Sequence, residues 1–128
     1  MTEPVWIDAA DVHAFHEELL ARFGGLAGVR DEGLLESALN RPIHLYHYGE
    51  PSLFELAAAY ASGIVKNHPF LDGNKRSGFV AAALFLEANG LRFVATEEDV
   101  VERTLALAAS AIDEAIYAAW LERSCVPA

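Results

Sequence analysis

A chain of 128 residues with 53% hydrophobic side chains has the length of one compact domain and enough apolar material for a core without disulfide or metal staples. A net charge of −10, from 19 acidic against 9 basic residues, repels a polyphosphate backbone at long range, which argues against direct nucleic-acid binding but leaves room for one local basic pocket. The single cysteine, Cys125, excludes a disulfide framework and a cysteine-built metal site and suits a reducing compartment.

The opening "MTEPVWIDAADVH" has no basic region followed by an apolar run, so it does not read as a signal peptide. The longest uninterrupted apolar run, "FVAAALFL" at 79–86, is far too short for a membrane span. The expectation is a cytoplasmic protein with no membrane partner, its residues 1–128 forming a single domain.

Helix signals follow one another along the chain. Asp8 is placed as an N-cap, with Ile7 and Val12 on either side as a hydrophobic staple, and the helix it opens should reach about Phe23 and stop at Gly24-Gly25. Asp31 starts a second helix through Leu34, Leu35, Ala38 and Leu39, predicted to close before Pro42. "S-L-F-E" at 52–55 is a capping box, and its helix runs to about Asn67, where Pro69 ends it. A fourth helix begins near Asn74 and stops at Asn89-Gly90; because it is apolar on all sides, it is predicted to be the buried central one.

"LRFVA" at 91–95 reads as a short extended piece, for which the opening "PVWI" is a candidate partner. Thr96 with Asp99 caps a fifth helix from about 97, and "DEAIYAAWLERS" supplies the last. The predicted fold is all-α: a compact bundle of about six helices around a buried central one, with at most a small extended hairpin or flap.

Between the third and fourth helices lies "N-H-P-F-L-D-G-N-K-R-S-G", residues 67–78. Gly73 frees the backbone before Asn74, and the first amides of the following helix point outward, an anion seat by its unpaired N–H groups and partial positive charge. Lys75 and Arg76 carry the wrong sign for the first turn of a purely structural helix. An anionic ligand would reverse that penalty.

His68 just upstream suits general-base work. Asp72 is an oxygen ligand of the kind Mg²⁺ takes alongside substrate phosphates. Phe70 between them most simply points inward and anchors the turn. Each residue also has an ordinary structural role: a turn histidine before proline, Asp-Gly-Asn turn chemistry and a solvated basic face. Each residue alone favours the ordinary role; their coincidence at one helix N-terminus brings an anion or nucleotide site level with it, and both readings stay open.

"H-P-F-L-D-G-N-K-R" at 68–76 resembles the signature of the Fic/Doc superfamily, and within it the Doc (death-on-curing) branch. Fic proteins proper carry glycine after the asparagine and a second arginine further on; here Lys75 follows Asn74, and "SGFVA" follows Arg76. The likeness extends to "GVRDEGLLESALNRP" at 28–42, "ALFLEANG" at 83–90 and the closing "AAWL".

The resemblance implies a Fic/Doc-like fold and the toxin of a type II toxin–antitoxin pair. Its activity would be Mg²⁺-dependent transfer of the ATP γ-phosphate to a threonine of a translation factor such as elongation factor Tu, arresting translation. Carried over by position, His68 is the base, Asp72 holds Mg²⁺, Gly73 and Asn74 shape the anion cradle, and Lys75 and Arg76 clamp phosphates. The implied partners are a protein substrate and a cognate antitoxin. The alternatives are a Fic-type AMP transferase and a catalytically silent antitoxin-binding module.

By the same analogy "RPIHLYHYGE" at 41–50, read as joining two helices, offers a flap that would align the target, with His44, Tyr46 and His47 its candidate residues. The residues themselves favour a surface loop with part-buried aromatics over target binding. "SAIDEA" at 110–115 is the nearest match to the inhibitory motif of many Fic proteins, but it ends in Ala115 and is explained by a helix start.

Overall fold

The computed structural model describes residues 3–128. In chain order these form α1 (Ala9–Phe23), α2 (Glu32–Tyr48), α3 (Leu53–Asn67), α4 (Asn74–Ala88), β1 (Leu91–Phe93), α5 (Glu97–Ala108), α6 (Glu114–Arg123) and β2 (Cys125–Pro127). The all-α expectation holds: the described residues make a six-helix bundle with one small antiparallel sheet, Arg92 facing Val126. Among them no helix is long and apolar enough to cross a membrane.

The starts of the helices are where the caps place them. Asp8 and Asp11 form a reciprocal capping box, as do Ser52 and Glu55. Asp31, Thr96 and Asp113 each accept a backbone N–H from the first turn of their helices. Each interaction satisfies an amide that the helix geometry leaves without an internal partner. "SAIDEA" is thereby a helix start, with Asp113 as its cap.

Three expectations are corrected. First, α3 rather than α4 is the enclosed helix: every residue from Leu56 to Val65 is buried. Its small side chains let neighbours approach from several sides. α2 comes so close that a Cβ on Gly63 would lie 3.1 Å from both Cα and Cβ of Ala38. α4 approaches likewise, a Cβ on Gly78 falling 2.7 Å from Val65 Cγ2. α4, although apolar all round, leaves Phe79 and Val80 half-buried, and they line a cleft.

Second, α2 does not close before Pro42 but runs through it to Tyr48. The proline forfeits one helical hydrogen bond, at a cost of about 3 kcal/mol. Packing on either side of it offsets this: Pro42 is buried, Tyr46 meets Trp6 edge-on at 5.6 Å, and Arg41 pairs with Glu114. Third, "PVWI" is not the partner of β1, which pairs with the C-terminal β2. Val5 instead exchanges hydrogen bonds with the Asn89 side chain, and the Ile7 amide donates to the Tyr60 hydroxyl.

The core brings together Tyr60, Phe85, Tyr117, Trp120 and the leucines of α2, α3, α5 and α6. α3 and α4 thus form a rigid pair, and the turn joining them lies at one end of it. The site rests on that turn.

Candidate active site

The turn begins at His68, the C-cap of α3, which adopts the left-handed conformation (φ 54, ψ 53) while its N–H donates to the Ile64 carbonyl. A non-glycine residue there is strained and needs support. Arg30 supplies it, donating from Nε to the His68 carbonyl and from Nη2 to the Asn67 carbonyl, both at 2.7 Å. A cation on the last carbonyls of α3 also complements the helix dipole.

Phe70 is fully buried. Its ring stacks on the buried His16 with centroids 3.7 Å apart. Asn74 is also buried, and its side chain staples the turn: Oδ1 accepts from the Phe70 N–H, and Nδ2 donates to the Phe70 carbonyl, each at 3.0 Å. These two bonds orient the amide, so Nδ2 is also what faces His68 Nδ1 at 3.1 Å. The amide can only donate there. Neutral His68 therefore carries its proton on Nε2.

Gly73 is the N-cap of α4, with φ 79 and no side-chain capping bond. The first-turn amides keep their outward polarity, with no acidic residue among them. Lys75 and Arg76 are exposed in that turn, and the Arg76 guanidinium lies 4.3 Å from the centroid of Phe23.

Asp72 is exposed. Its Oδ2 accepts from the Leu26 N–H at 3.2 Å and its Oδ1 from the Gly73 N–H at 2.9 Å. These amides, with Arg76 nearby, hold its carboxyl below the usual carboxylate range. Two bonds leave the carboxylate with further lone pairs to offer.

His68, Asp72, Gly73, Asn74, Lys75 and Arg76 all border one cleft of about 610 Å³. The rest of its lining is largely apolar, contributed by α1, α4, β1 and α5 and including Phe79, Val80, Phe93 and Val101. The polar turn therefore faces a pocket with an apolar lining, the common make-up of a ligand site.

The proposed flap residues are elsewhere. His44, Tyr46 and His47 lie on the last turns of α2, not in a loop, and none of them borders the cleft. The start of α2 meets the end of α3, where Asn67 Nδ2 donates to the Leu34 carbonyl. The end of α2 is consequently at the opposite end of α3, a helix of 15 residues and so about 22 Å long. His44 and His47, three positions apart, belong to no cluster of three or more possible metal ligands among the described residues.

The segment that does border the turn is the irregular stretch 24–30, exposed throughout. Val29 forms an antiparallel bridge with Phe70, the Leu71 N–H donates to Gly28, and the Arg30 N–H donates to Pro69.

A family model described as the Fic/DOC family matches residues 6–86. The chain is also similar to "Protein kinase doc" of Escherichia phage P1, 32% identical over 118 residues that cover 91% of this chain and 93% of that one. It belongs to the Fic/DOC family. A shorter likeness joins it to "Toxin Doc" of Mycolicibacterium smegmatis, 43% identical over 76 residues, 57% of this chain and 58% of that protein.

Four residues around the candidate site are not marked by the sequence. Arg30 falls within the 28–42 likeness but carries no role there, and Leu26 lies outside every motif. Phe23 reads only as a helix end. His16 continues the buried face of α1 with Val12 and Phe15, and a histidine on an apolar stripe was the one available signal.

Proposed function

We propose that this chain is a Doc-type toxin that transfers the γ-phosphate of ATP, with Mg²⁺, to a hydroxyl of a protein substrate, a threonine of a translation factor such as elongation factor Tu being the leading candidate. The observation that carries the reading is the uncapped start of α4, with Lys75 and Arg76 in its first turn and His68 bordering the same cleft from the same turn. Phosphoryl transfer asks mainly for positioning and neutralisation of charge, which such a turn supplies.

The first-turn amides and the two cations hold the phosphates, with Gly73 leaving the backbone open to them. Asp72, ionised and exposed with lone pairs to spare, fits a cation that arrives with the nucleotide. It would hold the Mg²⁺, which when bound neutralises phosphate charge. Asn74 acts through its staple of the turn rather than by reaching the ligand.

His68 serves as the base that takes the target's hydroxyl proton. With Nδ1 accepting from Asn74, that role at Nε2 requires a shift to the other tautomer, in which Asn74 keeps its bond to Phe70 and releases His68. Losing one neutral hydrogen bond costs roughly 1 kcal/mol, little beside a chemical barrier.

The target is expected to lie along the segment 24–30, whose Val29 bridge to Phe70 brings it beside His68, rather than along 41–50. A cognate antitoxin is the implied partner, and the relative named as a toxin supports it.

The test is incubation with Mg²⁺, ATP and elongation factor Tu, then with whole lysate, followed by intact-mass analysis. One added phosphate, absent with His68→Ala, supports the kinase reading. An added adenylate moves the protein to AMP transfer. No modification in either, together with growth inhibition unaffected by His68→Ala, leaves a silent binding module.

A further inference from the structure

His16 is a buried, titratable side chain directly beneath the site, and nothing in the proposed chemistry uses it. Only 4% of it is exposed. Its ring lies flat on Phe70, with planes 11° apart, and its Nε2 is 2.9 Å from the Asp72 carbonyl oxygen. The carbonyl can only accept, so His16 carries a proton on Nε2 and donates. Both the neutral ring and the imidazolium can make this bond.

The Asp72 carbonyl and the Gly73 N–H belong to one peptide unit. That unit is trans, as are all the described peptide bonds, so the two groups point in opposite directions. Holding the carbonyl from below therefore aims the N–H at the other side. There it donates to Asp72 Oδ1 at 2.9 Å. Gly73 sits close over the ring: a Cβ there would lie 3.5 Å from His16 Nε2.

The other carboxylate oxygen is held by the Leu26 N–H. Space for that contact exists because residue 25 is glycine; a Cβ on it would come within 2.9 Å of Asp72 Oδ2. The carboxylate is thus gripped at both oxygens, and one grip is set by the histidine.

We propose that His16 is a positioning residue: by fixing the Asp72–Gly73 peptide plane it sets the orientation of the Asp72 carboxylate toward a nucleotide-borne cation. This rests on the reading of Asp72 as the cation-holding group.

Direct binding of Mn²⁺·ADP to the whole protein, followed by electron paramagnetic resonance, separates the two claims. Asp72→Ala tests the reading, and unchanged binding in that variant sinks it. His16→Phe tests the proposal, because a phenyl ring keeps the stack on Phe70 and loses the donor. The expected result is affinity for Mn²⁺ weaker by about tenfold, with an unchanged melting temperature.

His16→Gln, which places an amide donor near the same position, should restore most of it. If His16→Phe does not fold, His16→Gln against His16→Met makes the same comparison of donor with apolar chain. Loss of Mn²⁺ in Asp72→Ala beside wild-type affinity in the donor-less His16 variants overturns the proposal, as does a glutamine variant no better than the methionine one.

Discussion

The guanidinium of Arg76 covers the ring of Phe23 at 4.3 Å, tying the first turn of α4 to the last turn of α1 across the cleft. A partly exposed contact of this kind contributes about 0.5–1 kcal/mol. Phe23→Ala should therefore release Arg76 and weaken ATP binding about two- to fivefold with kcat little changed, while Phe23→Trp preserves it. Steady-state kinetics on the proposed reaction, or calorimetry with ATP alone, checks this. Equal affinities in all three proteins would show that the contact does not prepare Arg76.

Arg30 holds the two carbonyls that end α3, and with them the left-handed backbone of His68. Arg30→Ala is expected to cost about 1–3 kcal/mol of stability and to lower kcat further than the folded fraction accounts for. Arg30→Lys should not restore the lost kcat, since a point charge cannot span both carbonyls as the planar fork does. Chemical denaturation beside kinetics separates the two losses.

Gly78 sets how closely α4 meets α3. A methyl group there would lie 2.7 Å from Val65 Cγ2 and 3.1 Å from the Ala61 carbonyl oxygen. The side chain can move but the carbonyl cannot without disturbing α3. Gly78→Ala should destabilise by about 1–3 kcal/mol, despite the higher helix propensity of alanine. The urea midpoint should fall with an unchanged slope.

Two phenols are silent at neutral pH and matter at high pH. Burial pushes Tyr60 and Tyr117 from the usual 10.0 up to about 12. Raised values mean that the folded state favours the protonated, neutral phenol, so their stabilisation is intact below pH 10 and is lost as pH climbs toward 12. Alkaline unfolding followed by circular dichroism should fall in that window. Tyr117→Phe should move the transition upward in pH, although leaving Thr104 without its hydroxyl partner lowers stability at neutral pH.

Much of the bundle was legible beforehand because a helix start is local. Asp8, Asp31, Ser52 and Thr96 each act on amides within three residues, and no distant contact is needed to recognise them. Pro42 misled for the complementary reason: its local penalty is real, but Trp6 and Glu114 outweigh it from 36 and more positions away. The enclosed helix was misassigned because an all-apolar face says that a surface is hydrophobic, not which neighbour covers it. α4 spends part of its apolar surface on a cleft.

The residues of the candidate site were legible as chemistry. A histidine, a carboxylate and two cations around Gly73 and Asn74 are adjacent in the chain, and no packing was needed to bring them together. What supports them was not. Arg30 reaches Asn67 across 37 positions, His16 reaches Asp72 across 56, and Leu26 reaches Asp72 across 46. Those distances close only when α1 packs against the α3–α4 pair, and so the orientation of the carboxylate, the backbone of His68 and the identity of the segment beside it belong to the assembled fold.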